Sequence, residues 1–265
     1  MTKPIPTVAL LTDFGMSDQY VGVVKGILLS HCPRVRIIDL CHDVGRHSIS
    51  AGAYLLWSSY RYLPAATVVL AVVDPGVGTA RDILLMKTKQ HLFVAPDNGL
   101  LDLVLWQEQK SDLYTLDVKS RFVRAALPKA ISATFHARDI LAPVCALLAS
   151  GIGPEQIGRK VIRRSSESPF MSQEDTHGPA RILHVDHFGN IITNIMPAAR
   201  AKSRFPQGIK VGQTSVTRWI QTYTEALPNT PSLIVGSSGL VEIVMNQQSA
   251  AARLLMGADS VEVIR

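Results

Sequence analysis

The stretch TVVLAVVDPGVGTAR, running from Thr67 to Arg81, decides the fold. Its first seven residues are almost all apolar and largely β-branched, which is the composition of a strand buried on both faces of a sheet. An aspartate and a Pro-Gly turn follow at once. Toward the N-terminus, TVALL (Thr7–Leu11) reads as a second buried strand. Tyr20–Ser30 places Val23, Ile27 and Leu28 at helical spacing, and Pro33 stops that helix. Val35–Leu40 is the next strand, and Ile49–Leu63 a second helix opened by Ser48 as N-cap. Strand, helix, strand, helix, strand with short connections predicts a mostly parallel α/β sheet. Ligands of such sheets gather beyond the carboxyl ends of the strands, which is where Asp13 and Asp74 stand.

Toward the C-terminus, Ile83–Lys87 and Leu92–Ala95 read as strands, and Leu100–Trp106 and Arg138–Ser150 as helices, the second closed by Gly151-Ile152-Gly153-Pro154. From Arg159 to Pro179 the pattern dissolves into polar residues and prolines. An α/β domain over 1–165, a linker over 166–179 and a smaller domain over 180–265 are therefore expected. In the last, Arg181–Asp186, Ile191–Ile195, Ser232–Val235, Leu240–Val244 and Val261–Ile264 are short strands between turn residues, which predicts an antiparallel, β-barrel-like domain.

Composition narrows the function classes. A chain of 265 residues, 47% hydrophobic and only 18% charged, supports two packed cores and excludes a disordered tail protein. Its apolar runs fall short of the ~20 residues a membrane span needs, and no basic-then-apolar leader opens it. Three cysteines (Cys32, Cys41, Cys145) without a CxxC pair speak against a disulfide framework and fit the cytoplasm. The +6 net charge lies in the first part, where 19 Lys/Arg face 13 Asp/Glu up to Ser165. No recognition-helix or RNP pattern accompanies it, so a solvated face or an anionic small molecule is expected rather than nucleic acid.

The loop DPGVGTAR invites comparison with dinucleotide or methyltransferase glycine loops. Both require the loop to open a helix, whereas ILLM follows here, and Arg81 stands where the last glycine belongs. His136 precedes a helix start, where the positive end of the dipole favours the neutral imidazole. HVDHFGN (His184–Asn190) alternates its histidines across a strand and matches no metal signature, so no metal is expected.

The stretches LLTDFG (10–15), VVDPGVGTAR (72–81), APDNGLL (95–101), TFHARDILAPV (134–144), VDHFGNIITNI (185–195) and SSGLVEI (237–243) span both domains. Together and in this order they resemble the S-adenosylmethionine hydroxide adenosyltransferases, relatives of the fluorinase and chlorinase enzymes. The resemblance implies that water attacks C5′ of S-adenosyl-L-methionine (SAM) to give adenosine and L-methionine. It implies a catalytic set of Asp74, Arg81 and His136, with Asp13 gripping the ribose hydroxyls and Phe135 near the sugar. Asp18, Asp186 and Ser237 match methionine contacts, Phe188, Asn190 and Met245 match adenine contacts, and Gly78, Thr79 and Ser238 complete the substrate-binding set. It further implies no cofactor, since SAM is the substrate, and a homotrimer with sites at subunit interfaces built from both domains. A halogenase making 5′-halo-5′-deoxyadenosine and a non-catalytic adenosine- or SAM-binding module are the alternatives. Arg46-His47, Ala137 and Gly236 depart from the usual pattern.

These residue types suit the chemistry. The sulfonium makes methionine a good neutral leaving group, but bulk water, with a pKa of about 15.7, is a poor nucleophile. A carboxylate and an imidazole accept its hydrogen bonds while a guanidinium stabilises hydroxide-like charge.

Overall fold

Strand β1 (Thr7–Thr12) is buried throughout because it lies between β2 (Arg36–Cys41) and β3 (Val68–Val72), parallel to both. The computed structural model describes residues 5–162, 171–172, 180–197, 207–255 and 261–264. The chain divides into two compact units, Met1–Ser166 and Glu167–Arg265.

In the first unit, helix α1 (Tyr20–His31) joins β1 to β2, and α2 (Ile49–Ser59) leads from β2 toward β3, its N-terminus capped by the Ser48 hydroxyl accepting from Ala51 N–H. After β3 come β4 (Ile83–Lys87), β5 (Leu92–Pro96), α3 (Asp102–Gln107), β6 (Asp112–Leu116), α4 (Arg121–Ala126), α5 (Ala142–Ala149), α6 (Pro154–Ile157) and β7 (Gly158–Val161). The seven strands form one sheet in the order β2-β1-β3-β5-β4-β6-β7. Pairing is parallel from β2 to β5 and antiparallel from β5 to β7. The change has a simple cause: the turn between β4 and β5 is too short for anything but a hairpin, since parallel neighbours need a crossover. β5 rather than β4 sits beside β3, so the loop from Asp74 to Asp82 passes the end of β5 and stays at the carboxyl edge. Val8, Leu10, Leu70 and Val72 share one core with Val24 and Leu28 of α1 and Val144 of α5. In α2, Gly52 lies so close to Leu100 and Val73 that a Cβ there would come within 2.8 and 3.0 Å of them.

The second unit contains β8 (Met171–Ser172), β9 (Ile182–Val185), β10 (Ile191–Thr193), β11 (Ile195–Met196), β12 (Gly208–Val211), β13 (Thr214–Val216), β14 (Ser232–Val235), β15 (Val241–Val244), α7 (Ala250–Leu254) and β16 (Val261–Ile264). β14-β15-β10-β9 and β13-β12-β16 are antiparallel sheets around a core that includes Ile191, Ile209, Leu233 and Ile243.

Two expectations change. The polar stretch from Arg159 is strand as far as Val161: β7 is an edge strand paired with β6, and its exposed Arg159 and Lys160 are what an edge tolerates. Most of the expected linker, 166–179, lies outside the described residues, but Met171–Ser172 within it pairs in parallel with β11. Sequence patterning also passed over β6, α4, the β12–β13 hairpin and α7, all of them short elements of three to six residues.

Candidate active site

Val73 links the end of β3 to Asp74, and its carbonyl accepts from the Asn98 side-chain amide at 2.8 Å, so a residue of APDNGLL steadies the exit from the strand. The Asp74 loop then closes on itself: Val77 N–H donates to the Asp74 carbonyl, and both the N–H and hydroxyl of Thr79 donate to the Gly76 carbonyl. Gly78 adopts φ +83°, and a Cβ there would come within 2.3 Å of the Ala133 carbonyl. Only glycine lets this loop press on the segment leading to His136.

Arg81 therefore turns back over Asp74. Its Nε donates to Asp74 Oδ1 at 2.6 Å, and its Nη2 to Oδ2, a bidentate pair with both side chains at least nine-tenths buried. The same Nη2 approaches His136 Nδ1 at 3.5 Å. Burial first, and the Arg81 charge second, hold the His136 imidazole below its ordinary pKa, against the opposing pull of Asp74 and Asp139. His136 caps a π turn (Ala137–Leu141) that leads into α5. Asp139 anchors this turn, accepting from Ser132 N–H at 2.8 Å and pairing bidentately with Arg138.

A cavity of about 260 Å³ opens against this set, and Asp13, Asp74, Phe135 and His136 line it. Asp13 Oδ2 accepts from His47 N–H at 3.0 Å, with the His47 ring 4.0 Å away. Phe14, Tyr20 and Phe135 form an aromatic wall with ring centroids 5.3 to 6.1 Å apart. Arg81 stands behind Asp74, facing a separate cavity that it shares with His136. Asp18 is exposed in the turn before α1 and does not line the Asp13 cavity.

The second unit has its own cavity of about 600 Å³, lined by Asp186, Phe188, Asn190 and Met245 together with Tyr223, Gln247 and Gln248. Asp186 folds the turn between β9 and β10: Oδ1 accepts from the N–H groups of Phe188 and Asn190, and Oδ2 from the Asn190 side chain. That leaves the Phe188 ring exposed, at 75%. Ser237 and Ser238 lie in the turn between β14 and β15, away from the lining of this cavity, and the Ser238 hydroxyl is buried without a hydrogen-bond partner among the described residues. Among the described residues no group of three His, Cys, Asp or Glu side chains is placed to hold a metal ion.

Residues 8–158 match the SAM hydroxide adenosyltransferase N-terminal domain, and residues 180–261 the C-terminal domain. The chain belongs to the SAM hydroxide adenosyltransferase family. It is 36% identical to the (R)-S-adenosyl-L-methionine hydrolase of Thermus thermophilus, with 93% of this chain and 94% of the relative covered. To the enzyme of the same name from Salinispora tropica it is 35% identical, covering 94% and 93%. A fluorinase of Nocardia brasiliensis is 30% identical over 72% of this chain and 71% of its own. Among solved structures, an uncharacterized conserved protein from Thermotoga maritima superposes with a TM-score of 0.82 at 29% identity, covering 97% and 99%.

Gly236 and His47 acquire physical reasons in the structure. At Gly236 a Cβ would fall 1.7 Å from Glu242 Oε1, so the buried Glu242 carboxyl occupies the space a side chain would take. His47 adopts φ +61°, which turns its N–H onto Asp13. Sequence reasoning missed Tyr20, Thr134, Tyr223, Gln247 and Gln248 as lining residues. The helical spacing of Val23, Ile27 and Leu28 was a signal for packing only; Tyr223 opens a three-residue 3₁₀ helix and Gln247 and Gln248 lie just after β15, where no regular periodicity marks them.

Proposed function

We propose that this protein hydrolyses (R)-S-adenosyl-L-methionine, the epimer in its relatives' names, to adenosine and L-methionine. The observation that carries the proposal is the Asp74–Arg81–His136 set, with Asp74 and His136 lining one cavity together with a second carboxylate, Asp13. Asp13 accepts from the vicinal ribose hydroxyls and so fixes C5′ over Asp74 and His136. Asp74 accepts a hydrogen bond from one water, and the His136 ring, whose protonation burial and Arg81 disfavour, holds the same water in place. Arg81 orients the Asp74 carboxylate through its bidentate bond and stabilises charge on the attacking oxygen. That oxygen displaces the sulfonium in line: the C5′–O bond forms, the C5′–S bond breaks, methionine leaves neutral at sulfur, and the water's proton passes to solvent. Alignment of water, C5′ and sulfur is worth up to ~7–11 kcal/mol. Phe188, Asn190 and Met245 hold adenine, and Asp18, Asp186, Ser237, Ser238, Gly78 and Thr79 complete the substrate contacts. SAM is the substrate and no cofactor takes part. The assembly is a homotrimer in which both units serve each reaction, and the three unpaired cysteines suit the cytoplasm.

The fluorinase relatives raise the halide alternative. The Asp74 carboxylate lines the space a halide would enter, and two like charges in a poorly screened pocket repel by several kcal/mol. Turnover in ¹⁸O-water with excess chloride or fluoride tests this: adenosine carrying ¹⁸O at O5′ is the expected product. A dominant 5′-halo-5′-deoxyadenosine, or binding without turnover, overturns the proposal. Asp74→Asn and His136→Ala are each expected to lower kcat at least ~100-fold with a much smaller change in KM.

A further inference from the structure

Next to Asp13 lies a chain of hydrogen bonds that the chemistry above does not use. Thr12 Oγ1 and His42 Nδ1 are 2.8 Å apart, His42 Nε2 and Asp39 Oδ1 3.0 Å, and Lys25 Nζ and Asp39 Oδ2 2.7 Å. Thr12 is 1% exposed and the His42 side chain 4%, whereas Asp39 is 43% exposed, so the chain runs from the core to the surface. Its order, hydroxyl–imidazole–carboxylate, is that of a nucleophilic triad, but Thr12 is sealed in the core and does not line the cavity. A nucleophile's role is therefore closed to it.

The Asp39 carboxylate can only accept, and its other oxygen takes the Lys25 ammonium, so the His42 proton it binds sits on Nε2. With that tautomer His42 Nδ1 accepts from the Thr12 hydroxyl, whose oxygen in turn accepts from Phe14 N–H at 3.3 Å. Backbone bonds reinforce the same junction: Gly15 N–H donates to the His42 carbonyl, and Val44 N–H to the Thr12 carbonyl. Asp13 lies between Thr12 and Phe14, inside the turn that Thr12 Oγ1 closes, and its outer oxygen is held by His47 N–H. The loops after β1 and β2 are thus stitched together on both sides of the carboxylate.

We propose that His42 is a positioning residue: through Thr12 it sets the rotation of the Asp13 carboxylate that selects a substrate with free 2′- and 3′-hydroxyls. The inference rests on the assignment of Asp13 to the ribose. Its test is the ratio of affinities for adenosine and 2′,3′-dideoxyadenosine, measured calorimetrically on the full chain. Loss of stability lowers the active fraction but leaves this ratio alone. Wild-type protein is expected to prefer adenosine at least about tenfold, the worth of one hydrogen bond to a charged group. Thr12→Val keeps the shape and removes the hydroxyl; His42→Gln keeps a donor for Asp39 and loses the acceptor for Thr12. Both should bring the ratio to within about twofold of unity, while affinity for the dideoxy nucleoside stays unchanged and KM for SAM rises more than kcat falls. Thr12→Ser and His42→Asn retain the Thr12–42 bond and should keep the preference; they answer the question even where Thr12→Val does not fold. A wild-type ratio in His42→Gln overturns the inference, as does a collapsed ratio in both conservative variants. A wild-type protein without preference, or Asp13→Ala with the preference intact, overturns the ribose assignment itself.

Discussion

His136 is held neutral by its surroundings more than by its residue type. Burial and the Arg81 guanidinium depress its pKa, and Asp74 and Asp139 only partly oppose them. Activity should therefore persist on acidification past the ordinary histidine value of about 6.5 and fall only as the pH drops through the lower folded-state value. Arg81→Gln removes a repelling charge and leaves Asp74 unpaired, so the His136 titration followed by NMR should move upward; a downward or absent shift would contradict the assigned causes. Gly236 is the second residue whose identity is set by a neighbour. Gly236→Asn drives a side chain into the Glu242 carboxyl, which burial already pushes toward its neutral form, and overpacking of this kind costs ~1–3 kcal/mol. A thermal midpoint several degrees lower is expected, and Glu242→Gln, which keeps the volume, should not restore it.

At the scale of elements, the site is two loops pressed together and a helix start. The Asp74–Arg81 loop rests on the Ser132–His136 segment through the contact of Gly78 with the Ala133 carbonyl, and Asp139 ties that segment to the π turn. Gly78→Ala requires a strained φ, worth ~1–3 kcal/mol, and displaces a backbone carbonyl. Since loop withdrawal separates Arg81 from His136, kcat should fall more than tenfold, far beyond the few-degree loss in midpoint; unchanged kcat would show that the loop contact does not set the geometry. The motif DPGVGTAR was legible as a strand end and a turn. Its destination was not: the turn carries the chain past β5 to β4, and that skip in strand order keeps Arg81 at the carboxyl edge beside Asp74.

For the whole molecule, the two units carry separate cavities, one with the Asp74 set and one with Phe188 and Asn190. Residues 1–166 expressed alone should keep the first and show no turnover of SAM, because the proposed adenine contacts are missing; wild-type turnover by that fragment would contradict the division of labour. No helix among the described residues is long and apolar enough to cross a membrane, in keeping with the scarcity of long apolar runs in the sequence. The sequence by itself determined β1 and β3 as uninterrupted apolar strands, Asp13 and Asp74 as the carboxylates at their ends, and the family through its ordered motifs. These are local properties, written in neighbouring residues by burial and turn chemistry. Tertiary structure alone decided what depends on distant partners. Polar Arg159–Val161 became strand because β6 offered an edge, and Tyr20 joined Phe14 and Phe135 because α1 packs beside the Phe135 segment. His42, one of eight histidines, acquired a role only because parallel pairing of β1 with β2 brings its ring to Thr12, thirty residues away. Such meetings follow from sheet order and register, which no local pattern in the chain records.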